Sequence, residues 1–220
     1  MVFLITIVLL KAGFVVNKKC STYPIQLHIK DQPCTVIGGG KVALRKVKRL
    51  LQAGAIITLI APALNTEILA LAKEGKITLL RREFLPGDTK GAFLIIAATN
   101  NVSVNEAIAA EASCHKQLVN VINSPNLGNF IVPGTIQNGN LIFTVTTGGT
   151  PALTKLITRE LRDSYGDNFA AFADFLLEMR NNIKNIPSTP LEREKLWQEM
   201  LTPKIMARKA WSFRLSIIRD

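Results

Sequence analysis

The stretch Cys34–Ala43, which reads CTVIGGGKVA, decides the fold of this chain. An apolar, β-prone run is followed by three glycines and then by a segment with one apolar face. Residues Gly38–Ala43 fit the pattern G-x-G-x-x-A, whose glycines let the backbone approach a pyrophosphate and whose small last residue lets helix and strand pack. The helix N-terminus offers free N–H groups to anionic oxygen. We therefore predict a dinucleotide-binding turn, and a tight turn of purely structural purpose is the alternative.

The residues around this stretch, from Cys34 to Ile122, alternate short apolar runs with amphipathic segments. This alternation is typical of βα units on a parallel sheet. We therefore predict an α/β fold with a Rossmann-type parallel sheet. The strands predicted after CTVIGGG are Ile56–Ile60, Lys76–Leu80, Phe93–Ala98 and Leu118–Ile122. The predicted helices are Lys41–Ala53, Leu64–Lys73 and Val102–Ser113. The core-facing side of the first helix is expected to consist of Val42, Ala43, Val47, Leu50 and Leu51.

The end of the second predicted strand departs from the usual dinucleotide-binding pattern. An acidic residue is expected there to bind the ribose 2′-hydroxyl, whereas this chain reads Ile60-Ala61-Pro62-Ala63. Backbone groups must then hold the ribose, and the motif leaves both NAD and NADP open.

Thr99 follows the fourth predicted strand, at the sheet edge where ligands bind in such folds. It is a candidate cofactor contact; the alternative is that Thr99 and Asn100 cap the next helix. The predicted cofactor-binding residues are Gly38, Gly40, Lys41, Val42, Pro62, Ala63 and Thr99.

The character of the chain changes at Ser124-Pro125. Two β-prone runs, Asn129–Gln137 and Asn140–Thr146, flank Asn138-Gly139, which is a strong hairpin signal. Helical periodicity follows over 151–162, 169–185 and 191–201. We predict four parts: an apolar extension over residues 1–21, a dinucleotide-binding domain over 22–124, a dimerisation hairpin and helix over 125–165, and a helical domain over 166–220.

The first segment, Met1–Val16, is apolar except for Lys11. It is shorter than the roughly 20 residues that span a bilayer. Positive charge follows the apolar run rather than preceding it, unlike in a signal peptide. We expect neither a stable membrane anchor nor secretion, and interpret the segment as an extension upstream of a folded body that begins near Asn17.

The composition limits the chemical classes of partner that the chain can bind. The chain has 27 Lys and Arg against 16 Asp and Glu, a net charge of +11, which favours an anionic partner. The basic residues are dispersed without interleaved aromatic residues, so nucleic acid is disfavoured. The three cysteines, Cys20, Cys34 and Cys114, form no CxxC pair and lie at no metal-ligand spacing from a histidine. We predict no disulfide framework, no metal site and a reducing, cytoplasmic compartment.

A set of motifs over residues 22–165 together resembles the precorrin-2 dehydrogenase family, the N-terminal module of siroheme synthase. The motifs are Tyr23-Pro24-Ile25, Gly38–Lys46, Ala61-Pro62, Leu94–Thr99 with Asn105, Asn120-Val121, Asn129–Pro133 and Thr146–Gly149. The resemblance implies NAD-dependent oxidation of precorrin-2 to sirohydrochlorin on the way to siroheme or cobalamin. It also implies a homodimer built through the hairpin and a helical C-terminal domain, and some members insert ferrous iron.

The resemblance also implies substrate-side residues. Thr146, Thr147 and Gly148 match a substrate-binding segment, and Thr147 as the N-cap of the next helix is the alternative. Asn123 stands where bifunctional members have an aspartate, and its amide cannot take up a proton at neutral pH. We expect Asn123 to be a catalytic-site residue with an altered role, or else a plain loop cap. His115 is expected to be structural.

The function expected is therefore NAD-dependent dehydrogenation of an anionic tetrapyrrole, with weak or no iron insertion. Precorrin-2 carries eight carboxylates, so the basic chain is expected to attract it. Two alternatives stay open: a bifunctional dehydrogenase and ferrochelatase, and a non-catalytic module that senses a dinucleotide.

Overall fold

The computed structural model describes residues 22–184 and 189–200. It divides into two compact units, one ending at Phe130 and the other beginning at Ile131. The apolar N-terminal segment and the last residues from 201 on lie outside the described residues.

The first unit is built on a five-stranded parallel sheet in the order β3-β2-β1-β4-β5. The strands are β1 Pro33–Ile37, β2 Ile56–Ile60, β3 Thr78–Leu80, β4 Leu94–Ala97 and β5 Leu118–Val121. The helices are α1 Lys41–Gln52, α2 Thr66–Lys73 and α3 Val102–Cys114, and a short 3-10 helix covers Pro125–Leu127. The predicted Rossmann-type fold is confirmed. The chain reverses its direction across the sheet after β3, so β1 and β4 flank the point where ligands bind in such folds.

Neighbouring residues of each strand face opposite sides of the sheet, as a strand requires. Val36 and Ile96 belong to a core cluster with residues of α1 and α2, whereas Ile37 and Ile95 belong to a second cluster with residues of α3. Because both faces are covered by helices, the strands read as continuous apolar runs.

One residue of α1 does not face the core as predicted. Val42 is 36% exposed, while Ala43, Leu44, Val47 and Leu50 are buried. Val42 precedes Ala43 by one residue, which places it roughly 100° around the helix and away from the apolar stripe.

The second unit contains a two-stranded antiparallel sheet, β6 Gly134–Asn138 and β7 Leu141–Val145. The turn between them contains Gly139 with φ of 55°, the positive value that such tight hairpins need. Helices α4 Pro151–Ser164, α5 Asp167–Lys184 and α6 Pro190–Met200 follow. None of the helices within the described ranges is long and apolar enough to cross a membrane.

The hairpin begins later than predicted, because Asn129 belongs to the first unit. Its side chain accepts a hydrogen bond from the Val119 amide at 2.9 Å and donates one to the Gln117 carbonyl at 2.7 Å. The Phe130 carbonyl accepts a bond from the Asn120 side chain at 3.0 Å. The predicted strand start at Asn129 is therefore wrong, and β6 begins at Gly134.

We expect Ile95→Ala to lower the free energy of unfolding by about 2–5 kcal/mol, because it leaves a cavity in the central strands. Ile95 is fully buried in β4. The matched control is Ile56→Ala in β2, where the side chain is 58% exposed and the expected loss is below about 1 kcal/mol. Urea unfolding of both variants measures the difference, and equal losses would contradict the assigned core.

Candidate functional site

A cleft opens at the carboxyl ends of β1, β2 and β4 in the first unit. Its volume is about 560 Å³, within the roughly 300–1,000 Å³ typical of small-molecule sites. The lining residues come from the glycine turn, the ends of β2 and β4, the segment after β3 and the start of α3. They are Ile37, Gly38, Gly39, Gly40, Lys41, Ile60, Ala61, Pro62, Ala63, Leu64, Asn65, Glu83, Phe84, Ala98, Thr99, Asn100, Asn101 and Val104.

The first two glycines of the turn are required by close backbone contacts. Gly38 has φ of 123°, and a Cβ there would lie 2.3 Å from the Ala98 carbonyl oxygen. A Cβ on Gly39 would lie 2.0 Å from the Ala63 carbonyl oxygen. The turn is also tied to its neighbours by hydrogen bonds from the Gly38 amide to the Ile60 carbonyl and from the Asn65 amide to the Gly39 carbonyl, at 2.9 and 2.8 Å.

Gly40 differs from the other two glycines. Its φ of −83° and ψ of −175° suit any residue, and no heavy atom lies within 4 Å of the position of a Cβ. The fold itself therefore does not require a glycine here. The open space belongs to the cleft, so Gly40 leaves room for a group that approaches the backbone of the turn.

The N-terminus of α1 begins beside this open space. No side chain within the described residues caps α1, whereas α2 and α3 are capped by the side chains of Asn65 and Asn101. The first N–H groups of a helix have no partner within the helix and attract anionic oxygen. Gly40 and the start of α1 thus fit the pyrophosphate of a dinucleotide.

Thr99 is held by three hydrogen bonds to one buried side chain. Its hydroxyl donates to the Asn105 Oδ1 at 2.7 Å, its amide donates to the same oxygen at 3.4 Å, and its carbonyl accepts from the Asn105 Nδ2 at 3.1 Å. The Thr99 hydroxyl also accepts from the Asn101 amide at 3.2 Å. Because the hydroxyl proton of Thr99 is used in the bond to Asn105, the hydroxyl oxygen can only accept a hydrogen bond from a ligand.

The alternative assignment of Thr99 as a helix cap is not what the structure has. Asn101 is the N-cap of α3, and its side chain accepts from the Val104 amide at 3.3 Å. Thr99 instead fixes the turn before this cap through the Asn105 contacts.

Most of the predicted cofactor-binding residues lie together in the cleft: Gly38, Gly40, Lys41, Pro62, Ala63 and Thr99. Val42 is absent from the lining and is exposed on the first turn of α1. Glu83 and Phe84 also line the cleft but are not among the residues predicted from the sequence. Their position after the end of a predicted strand could have indicated this, because it places them at the same edge of the sheet as the glycine turn.

The predicted substrate-side residues lie elsewhere. Asn123 is exposed in the turn after β5 and does not line the cleft. Thr146, Thr147 and Gly148 belong to the second unit, with Thr146 and Gly148 exposed. The N-cap of α4 is Thr150, so the alternative role of Thr147 as N-cap is wrong. The Thr147 hydroxyl donates to the Thr150 carbonyl at 2.8 Å and lies 2.7 Å from the Thr154 hydroxyl.

Two other titratable side chains of the first unit, those of His115 and Cys34, are involved in its fold. His115 is at the C-terminal cap of α3, with its Nδ1 2.9 Å from the Glu111 carbonyl oxygen. Burial raises the pKa of the Cys34 thiol to about 11, so it is a poor nucleophile at neutral pH. The described residues contain no cluster of three or more metal-ligating His, Cys, Asp or Glu side chains.

Comparisons with known proteins agree with this geometry. A family model described as "Putative NAD(P)-binding" matches residues 25–134, half of the chain. The siroheme synthase of Methylobacillus flagellatus is 36% identical over 180 residues, and that of Methylococcus capsulatus is 36% identical over 179 residues. Each alignment covers 81% of this chain but 38% of the relative, so the chain spans about two fifths of the length of these relatives.

A solved structure of SirC, a precorrin-2 dehydrogenase, matches with a TM-score of 0.74 and 30% sequence identity. The match covers 84% of this chain and 92% of that protein. The chain therefore belongs to the precorrin-2 dehydrogenase family, the family that its motifs resemble.

Proposed function

We propose that this chain catalyses the NAD-dependent dehydrogenation of precorrin-2 to sirohydrochlorin, a step towards siroheme or cobalamin. The observation that carries the proposal is Gly40, a glycine that the fold does not need, at the uncapped start of α1 in a cleft of about 560 Å³. A purely structural turn gives no reason for that open space. The match to a precorrin-2 dehydrogenase along 92% of its length supports the substrate.

Each part of the cleft has a task in this proposal. The backbone N–H groups of Gly40, Lys41 and Val42 hold the pyrophosphate, and main-chain groups of Pro62 and Ala63 hold the adenosine ribose. Bound NAD supplies the acceptor for a hydride from the substrate. Because hydride transfer depends mainly on holding the two reacting carbons together, the chain contributes positioning rather than proton chemistry.

The residues on the substrate side also bind and position rather than transfer protons. We propose that Thr146, Thr147 and Gly148 bind the tetrapyrrole and that Asn123 contacts it without acting as a base, since an amide takes up no proton at neutral pH. The net charge of +11 attracts the eight carboxylates of precorrin-2. We also propose a homodimer that forms through the hairpin of β6 and β7.

The direct test mixes the purified chain with NAD+ and precorrin-2 and follows the near-ultraviolet absorbance of NADH. Stoichiometric NADH and sirohydrochlorin support the proposal. NAD+ binding without turnover would instead favour the alternative of a dinucleotide-sensing module.

We expect Gly40→Asp to lower the affinity for NAD+ by at least about a hundredfold, because it adds a negative charge beside the pyrophosphate. Since a side chain at this position meets no protein atom, the melting temperature should stay near that of the native chain. Gly40→Ala is the uncharged control, with a smaller loss of affinity. Calorimetry measures both, and native affinity in the aspartate variant would disprove the cofactor position.

We expect Asn105→Ala to raise KM for NAD+ roughly tenfold, with a smaller change in kcat, because Thr99 loses its anchor and the turn shifts. The control is Asn129→Ala, which removes two side-chain hydrogen bonds, with Val119 in β5 and with Gln117 just before it, at a residue that does not line the cleft. Steady-state kinetics at fixed substrate distinguish them. Equal changes in KM would mean that Asn105 acts through stability alone.

We expect the native chain to insert ferrous iron into sirohydrochlorin far more slowly than it oxidises precorrin-2, and Asn123→Asp to raise the insertion rate. A carboxylate can accept the protons that the macrocycle loses, whereas an amide cannot. The absorbance change of sirohydrochlorin with Fe²⁺ measures both rates. Fast insertion by the native chain would establish the bifunctional alternative.

A further inference from the structure

The ribose end of the cleft has no charged group where dinucleotide-binding folds usually carry one. The residues after β2 are Ala61, Pro62 and Ala63, and the next polar residue is Asn65. Asn65 is neutral, and its Oδ1 accepts the Glu67 amide at 2.9 Å as the cap of α2. A choice between the ribose 2′-hydroxyl of NAD and the 2′-phosphate of NADP must therefore come from another element.

Glu83 is the acidic residue that lines the cleft, and Lys41 is the basic one, among the described lining residues. Glu83 follows β3, which pairs with β2, so it enters the cleft from the side of the second strand. Lys41 starts α1 at the glycine turn. The two charges thus come from different elements, and the negative one follows the strand paired with β2, whose end contacts ribose in such folds.

The segment that carries Glu83 is held in place by its neighbour Arg82. The Arg82 guanidinium binds both carboxylate oxygens of Asp88, at 2.6 and 2.7 Å, and donates to the Glu83 carbonyl at 2.9 Å. This ion pair holds the pKa of Asp88 below its usual range, so it persists at neutral pH. The backbone at Glu83 is therefore fixed, and Glu83 is an exposed residue of the cleft lining.

The far end of the same loop is fixed by α3. Glu111 accepts hydrogen bonds from the Gly87 amide at 2.9 Å, from the Thr89 amide at 3.0 Å and from the Thr89 hydroxyl. With both ends tied, the loop cannot easily withdraw Glu83 from the cleft. Arg82, a natural partner for a phosphate, is already engaged by Asp88 and is not free to neutralise one.

We infer that Glu83 makes the cleft selective for NAD over NADP, by repelling a 2′-phosphate at the ribose end. The inference rests on the proposed cofactor site. A carboxylate and a phosphate that share a cleft repel each other more strongly than in bulk water, because the protein walls lower the local dielectric constant. The 2′-hydroxyl of NAD carries no charge and meets no such penalty. Glu83 is thus a specificity-determining residue rather than a catalytic one.

The test compares the affinities of NAD+ and NADP+ by calorimetry for the native chain, Glu83→Gln and Glu83→Asp. In Glu83→Gln the ratio should move towards NADP+ by about tenfold, while Glu83→Asp keeps the charge and the native preference. The matched control is Glu106→Gln, which removes the same charge from an exposed position on α3 that does not line the cleft. Its ratio should equal that of the native chain.

The outcomes separate the inference from the proposed function. An unchanged ratio in Glu83→Gln, in a native chain that binds NAD+, would overturn the role of Glu83 and leave the cofactor site standing. An equal change in Glu106→Gln would also overturn it, since net charge alone would then account for the effect. A native chain that binds neither coenzyme would overturn both. Because the Glu83 side chain is exposed, folding of its variants is expected to be native, and their melting curves check this.

Discussion

The contact between the glycine turn and the carbonyl groups of its neighbours is the constraint on which the site depends. Gly38 lies against the Ala98 carbonyl and Gly39 against the Ala63 carbonyl, at distances that exclude any side chain. The turn is thereby held between the ends of β2 and β4, and α1 starts at the cleft. Gly40 and the uncapped N–H groups of that helix are what this packing leaves available to a ligand.

The parallel sheet and its glycine turn could be predicted from the sequence, because they depend on local patterns. The run Leu94–Ala97 is buried on both faces, and Ile57, Leu59 and Ile60 are buried in the run Ile56–Ile60, so both read as apolar strands rather than amphipathic helices. The hairpin could also be predicted, because Asn138-Gly139 is a local turn signal. The prediction that Val42 faces the core is wrong, because the sequence at the start of a helix does not show where the apolar stripe of that helix begins.

The parts that could not be predicted depend on contacts between residues far apart in the chain. Nothing local shows that Asn129 pairs with the edge of β5 rather than starting a hairpin strand. Two other features depend on the packing of α3 beside the sheet: the hydrogen bonds between Asn105 and Thr99, and the position of the loop that carries Glu83. The glycine motif predicts the position of the cleft with Lys41 and Thr99 in it, whereas the presence of Glu83 in the lining depends on the packing.

The proposed cofactor site depends on one physical interaction, the binding of the NAD diphosphate by the backbone of the glycine turn. The most direct measurement is a titration of the isotopically labelled chain with NAD+, followed through its ¹H–¹⁵N amide spectrum. We expect the amide signals of Gly40, Lys41 and Val42 to shift as NAD+ is added and to reach a plateau when the site is saturated. Saturable shifts confined to other residues, with these amides unmoved, would contradict it.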